Sequence, residues 1–173
     1  MRLISVWKKL ALYKTGVDAA RAVLVGVDTG REDFADSMAE LSLLADSAGS
    51  IPTASVIARK GRTDPALFIG SGKANELKRV MEEQGAELAI FNHPLSPTQQ
   101  RNLERHIGFH VMDRTGLILD IFSQRAQSHI GKTQVELAQV RYRMSRLVRA
   151  WSHLERQRGV LVCVVVLVKR RWS

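Results

Sequence analysis

Arg21-Ala-Val-Leu-Val-Gly-Val27 is the stretch on which the fold turns. It is apolar and β-branched nearly throughout, without the polar alternation of a strand that has one wet face, so it reads as a strand buried on both faces of a parallel sheet. Outward from it, Asp28-Thr29-Gly30 is a turn, and Glu32 to Ala48 places Phe34, Met38, Leu41 and Ala45 at helical spacing, with Gly49 ending the helix. Ile51 to Ala58 predicts a second strand, Ala66 to Ile69 a short third, Glu87 to Phe91 and Phe109 to Met112 two more. Between them Gly72 to Gln84 is helical through Leu77, Val80 and Met81. Ser96-Pro97-Thr98-Gln99 carries three helix-start signals in register: Ser at the N-cap, Pro at the first helical position and Gln in the capping-box position. Thr115 opens an apolar helix through Leu117, Ile118, Ile121 and Phe122. Strands alternating with helices predict an α/β domain, a small parallel sheet flanked by helices.

The chain then changes character. From Lys132 to Arg158 there is neither Pro nor Gly, and Leu137, Val140, Met144, Leu147, Trp151 and Leu154 recur at steps of three and four. That is a heptad seam on one long helix, expected to pack on a partner helix of the same protein. Charge follows the same division. The chain has 173 residues and a formal charge of +9, yet residues 21–128 hold 12 basic and 14 acidic side chains. Residues 129–158 carry Lys132, Arg141, Arg143, Arg146, Arg149, Arg156 and Arg158 against Glu136 and Glu155. A basic helix face is either a solvated surface or a nucleic-acid contact, and spacing leaves both readings open.

Composition narrows the class. An apolar share of 45% with 25% charged residues excludes wholesale disorder, and one cysteine excludes an internal disulfide. Val160 to Val168, the longest apolar run, falls well short of the ~20 residues that span a bilayer. Met1 to Tyr13 interrupts its apolar pieces with Trp7, Lys8 and Lys9, unlike a signal peptide, so a cytoplasmic location is expected.

Candidate chemistry is sparse. Gly70-Ser71-Gly72-Lys73 suggests a phosphate loop, but Leu67 stands where the first Gly of a Walker A motif is needed and Ala74 where its Mg²⁺-binding hydroxyl belongs. Gly70, Gly72 and Lys73 are therefore weak nucleotide-binding candidates, against a tight turn into a helix. Gly131-Lys132-Thr133 copies only the end of that motif. His106 and His110 are separated by Gly108 and do not share a helix face, so no zinc site is expected. His93 before Pro94 suits a turn. Asp113-Arg114-Thr115 reads either as a catalytic set or as a strand-end turn with Thr115 capping the next helix.

Several stretches together resemble the N-terminal region of HflX, a ribosome-associated GTPase family. They are Phe68-Ile-Gly-Ser-Gly-Lys73 with Glu76-Leu77, and Leu95-Ser-Pro-Thr-Gln-Gln-Arg-Asn-Leu-Glu104. They continue as Asp113-Arg-Thr-Gly-Leu-Ile-Leu-Asp-Ile-Phe122, Gly131-Lys-Thr-Gln-Val-Glu-Leu-Ala-Gln139 and Trp151-Ser-His-Leu-Glu-Arg-Gln157. The resemblance implies an α/β subdomain at 21–128 after a variable extension at 1–20. It further implies that the long helix at 129–158 is the first arm of a helical hairpin whose Gly-rich loop and GTP-binding domain would follow. It implies GTP and Mg²⁺ as cofactors of the intact protein, binding to the large ribosomal subunit and ribosome splitting. On that basis Arg141, Arg143, Arg146, Arg149 and Arg156 are the candidate ribosomal RNA contacts. No guanine-nucleotide motif occurs here, so this chain is expected not to hydrolyse GTP.

Residues 159–173 depart from the family pattern. Where Gly-Pro-Gly-Glu-Thr-Gln is expected, the chain reads Gly159-Val-Leu-Val-Cys-Val-Val-Val-Leu-Val-Lys-Arg-Arg-Trp-Ser173. Val166 to Ser173 can be written GTC CTG GTG AAA CGC AGA TGG AGN, which in the neighbouring frame encodes Pro-Gly-Glu-Thr-Gln-Met-Glu. The tail is accordingly expected to be a frameshift product, with Cys163 neither nucleophile nor ligand. The alternative function is a remnant that self-associates through an unpaired seam.

Overall fold

The computed structural model describes residues 19–28, 30, 33–59 and 64–147. The extension at 1–18, the arm beyond Leu147 with Arg149, Trp151, Leu154 and Arg156, and the tail with Cys163 lie outside the described residues. Four strands, β1 (Arg21–Asp28), β2 (Ile51–Arg59), β3 (Leu88–Phe91) and β4 (His110–Asp113), form one parallel sheet in the order β2-β1-β3-β4. Five helices accompany them among the described residues: α1 (Phe34–Ser47), α2 (Ser71–Gln84), α3 (Pro97–Ile107), α4 (Arg114–Arg125) and α5 (His129–Leu147).

β1 is central and dry, with Ala22 to Val27 buried without a break. Its alternate side chains feed two cores, because successive residues of a strand point to opposite faces. Val23 and Val25 meet Ala74, Leu77 and Met81 of α2 and Leu103 and Ile107 of α3. Ala22 and Leu24 meet Leu41 and Ala45 of α1 and Leu117 and Ile121 of α4. The path across the sheet reverses after β2 and the helices change face with it, as a single handedness of crossover requires. Leu77 and Leu103 are wholly buried, and truncating either to alanine is expected to cost about 2–5 kcal/mol. Gly26 lets α1 lie close on β1: a Cβ there would meet Met38 Sδ at 2.5 Å and the Phe34 ring at 2.9 Å.

Three local expectations are corrected. Ala66 to Ile69 is not a strand; a single bridge joins Asp64 and Phe68. The Asp64 carboxylate accepts the Ala66 N–H at 2.7 Å and the Leu67 N–H at 3.3 Å, and this side-chain turn wins over the apolar run. Phe68, at φ 63°, is the one non-glycine residue in left-handed backbone among those described. Thr115 does not cap α4. Asp113 does, accepting the Gly116 N–H at 2.9 Å, so the helix begins one residue earlier. Phe122, expected on the apolar face of α4, is 55% exposed. By contrast the start of α3 is as expected: Ser96 accepts from Gln99, and the Gln99 side chain accepts from the Ser96 N–H.

Candidate functional site

The long helix α5 packs on α4 and α3, through a face the heptad spacing does not mark. Leu137, Val140 and Met144 are 50%, 40% and 56% exposed, so the described part of the seam has no partner helix among the described residues. The half-buried face is mixed: Val135 and Ala138 lie on it with Gln139, Tyr142 and Arg146, and its hydrogen bonds to the body come from those three polar side chains. From His129 to Arg146 no side chain of α5 is fully buried.

At the centre of this contact is Asp113, at the carboxyl end of β4 and only 1% exposed. One oxygen, Oδ1, accepts the Gly116 N–H that caps α4 and the Tyr142 hydroxyl from α5. The other, Oδ2, accepts the Leu95 N–H at 3.3 Å and Arg146 Nη2 at 2.7 Å. Arg146 Nη2 lies 2.5 Å from the Tyr142 hydroxyl and donates to it, and its guanidinium lies 3.8 Å from the Tyr142 ring centroid. Burial, then the hydrogen bond and charge of Asp113, push the Tyr142 hydroxyl above the ordinary phenol value, with Arg146 opposing the shift. Two weaker bonds flank the centre: Arg101 Nη2 to the Arg146 carbonyl and Gln139 Nε2 to Asp120 Oδ1, both 3.3 Å.

The predicted site residues thus separate. Arg141 and Arg143 are exposed, with Arg143 Nε reaching only the Gln139 carbonyl one turn back, at 3.3 Å. Arg146 is paired with Asp113 and is 17% exposed. Its guanidinium is committed inward, to a carboxylate. Arg149 and Arg156 lie outside the described residues.

The phosphate-loop candidates do not assemble a nucleotide site. Lys73 Nζ is held by Glu76 at 2.8 Å, so a carboxylate already occupies the cation that would meet phosphate. Ala74, where a Mg²⁺-binding hydroxyl is needed, is fully buried in the core. Gly70 takes φ 76° as N-cap of α2, and Gly72 sits in its first turn. These residues do not fit GTP or Mg²⁺, and no group of His, Cys, Asp and Glu among the described residues could hold a metal ion.

The histidines go separate ways. His106 Nε2 pairs with Asn75 Oδ1 at 2.7 Å, and His110 Nδ1 lies 2.9 Å from Glu104 Oε1. His93 lies after β3 with its ring 5.8 Å from that of Phe68 and its Nδ1 buried without a hydrogen-bond partner among the described residues. Burial lowers its pKa. The sequence reading did not single out Asp113 with Tyr142 and Arg146 as a unit. The available signal was a Tyr and an Arg four apart, off the apolar seam, on a helix otherwise crossing a sheet domain.

Comparison with known proteins identifies the family of the chain. The family description "GTP-binding GTPase N-terminal" matches residues 35–123, and "GTP-binding GTPase Middle Region" matches 125–167, past Gly159. The protein "GTPase HflX" of Escherichia coli (strain K12) is 46% identical over 139 residues, covering 80% of this chain and 33% of that protein. That of Magnetococcus marinus is 49% identical over 120 residues, covering 69% and 28%. A crystal structure of a GTP-binding protein from the archaeon Sulfolobus solfataricus in complex with GDP shares the fold, with a TM-score of 0.56 at 22% identity over 87% of this chain and 46% of that one. The chain spans about a third of the length of the HflX relatives. With two adjoining family regions matched in order and identities well above 40% across most of its length, the chain belongs to the HflX GTPase family.

Proposed function

We propose that this chain is a ribosome-binding region that engages ribosomal RNA of the large subunit through its basic arm and does not itself hydrolyse GTP. The observation that carries the reading is the exposure of Arg141 and Arg143 on a helix whose other described cations are Lys132 and Arg146, against one anion, Glu136. An exposed cation can neutralise a phosphate and release its counterions, which makes binding strong at low salt and weak at high salt. Arg146 contributes differently, by holding the helix to the body. Family membership supports the large subunit as partner and a cytoplasmic location, and no helix among the described residues is long and apolar enough to cross a membrane.

GTP hydrolysis with Mg²⁺ belongs, on this reading, to the part of the HflX relatives that this chain does not span. Co-sedimentation of the full chain with purified large subunits at low and high salt tests the proposal. Pelleting that disappears as salt rises is expected, and failure to pellet at low salt would refute it. Turnover of GTP by the purified chain would refute the second half.

The exposed seam supports a second reading, self-association through Leu137, Val140 and Met144. A sedimentation coefficient that rises with protein concentration, and falls back to the monomer value in Leu137→Glu, is the outcome that reading requires.

A further inference from the structure

The geometry points to a polar latch between the sheet domain and the long helix: Asp113 is its receptor, Tyr142 and Arg146 its two keys, and Gly116 the slot that admits Tyr142. The latch fixes the direction of α5 and opens without unfolding the sheet. Four observations bear on it independently.

First, both oxygens of a buried carboxylate are used twice, once each within the sheet domain (Gly116 and Leu95 N–H) and once each toward α5 (Tyr142 and Arg146). The inner pair holds the carboxylate still whether or not α5 is present. A receptor held by its own domain is preorganised for the helix.

Second, space has been left for the key. A Cβ at Gly116 would lie 2.9 Å from the Tyr142 hydroxyl oxygen and 3.4 Å from Asp113 Oδ1, and Gly116 sits inside α4 where glycine is otherwise unfavourable. Its backbone is helical, so the reason for glycine here is room and not conformation.

Third, no fully buried apolar side chain duplicates the attachment among the described residues; Val135 and Ala138 are only half-buried. No side chain from His129 to Arg146 is fully buried, and the apolar seam faces away. Most of the stability of a helix in a protein comes from its tertiary packing, so α5 loses order when this contact is released.

Fourth, the latch is incomplete in a way that favours reversibility. Arg146 Nε is buried with no hydrogen-bond partner among the described residues, a cost carried only in the closed state. Opening hydrates that group. The latch also reaches the start of α3, because the Leu95 N–H it holds precedes the Ser96 cap. Closing therefore sets where Arg141 and Arg143 stand relative to the sheet domain, and opening re-aims them.

Hydrogen–deuterium exchange on the full chain tests this, with Tyr142→Phe, Arg146→Gln and Asp113→Asn compared with the parent. The last variant keeps an oxygen to cap α4, since Asn serves at an N-cap nearly as well as Asp. Amides of residues 129–147 are expected to exchange at least about tenfold faster in each variant, equivalent to about 1.4 kcal/mol of opening free energy, while those of β1 and β3 stay within about twofold. Unchanged exchange in α5 for Tyr142→Phe and Arg146→Gln would overturn the latch. So would acceleration of β1, β3 and α5 together, which would make the contact part of one cooperative core. Should Asp113→Asn fail to fold, the two α5 variants decide the matter alone, because neither side chain belongs to the sheet domain.

Discussion

Gly116→Ala separates the docking of the long helix from the stability of the sheet domain, because it adds one methyl group and removes no polar partner. The new Cβ would stand 2.9 Å from the Tyr142 hydroxyl oxygen, 3.2 Å from Met112 Cγ and 3.4 Å from Asp113 Oδ1. The first distance cannot be kept. The hydroxyl is the far end of a side chain on a helix without buried anchors, so it withdraws, whereas Met112 needs to give only a few tenths of an ångström. Withdrawal loses a hydrogen bond to a charged group, about 1.5–3 kcal/mol, or an opening constant for α5 raised about 10- to 100-fold. Against this, alanine is favoured over glycine in a helix by at most about 1 kcal/mol at this first-turn position, and that gain accrues to α4 with the latch open or closed. Two quantities therefore move apart. The thermal midpoint of the sheet domain should hold or rise slightly, while residue-resolved amide exchange in α5 accelerates. A variant that loses sheet stability with α5 protection intact would refute the reasoning, since it would mean the methyl is accommodated by the core and not by Tyr142.

Two further outcomes follow from other residues. His93 is held neutral by burial, so the unfolded chain binds the extra proton first as acid is added; the stability tied to it should be complete above the ordinary histidine value of 6.5 and be lost as pH falls below it, and urea midpoints measured across that window should flatten in His93→Gln. Lys73 is already paired with Glu76, so neither the parent nor Lys73→Ala should bind GTP or ATP in a calorimetric titration, and tight binding abolished by the substitution would restore the phosphate-loop reading.

What the sequence reveals and what it hides divide along the range of the forces involved. The unbroken apolar run of β1 and the Ser96 to Gln99 capping box are local, and both stand in the structure as read. Ala66 to Ile69 misleads because a carboxylate three residues upstream of Leu67 satisfies the backbone that a sheet neighbour would otherwise have to meet. The seam on α5 misleads differently. Spacing identifies which side chains share a face, but not which face meets the body, and here the docked one is chosen by Asp113, 29 residues before Tyr142. That carboxylate looks like an ordinary helix cap in sequence. Only the fold brings the hydroxyl and guanidinium of a later helix onto it. The same fact reorders the arginines, which spacing treats alike: Arg141 and Arg143 face solvent, and Arg146 turns inward.

The claim that exposed arginines of the arm bind ribosomal RNA is met most directly by the salt dependence of co-sedimentation with large subunits, measured for the parent and for Arg141→Ala with Arg143→Ala. Each lost phosphate contact lowers the slope of log K against log salt by about 1, so the paired variant should bind more weakly and its slope should be shallower by about 2. A parent that pellets with the same affinity at every salt concentration, or a paired variant with an unchanged slope, would contradict the account.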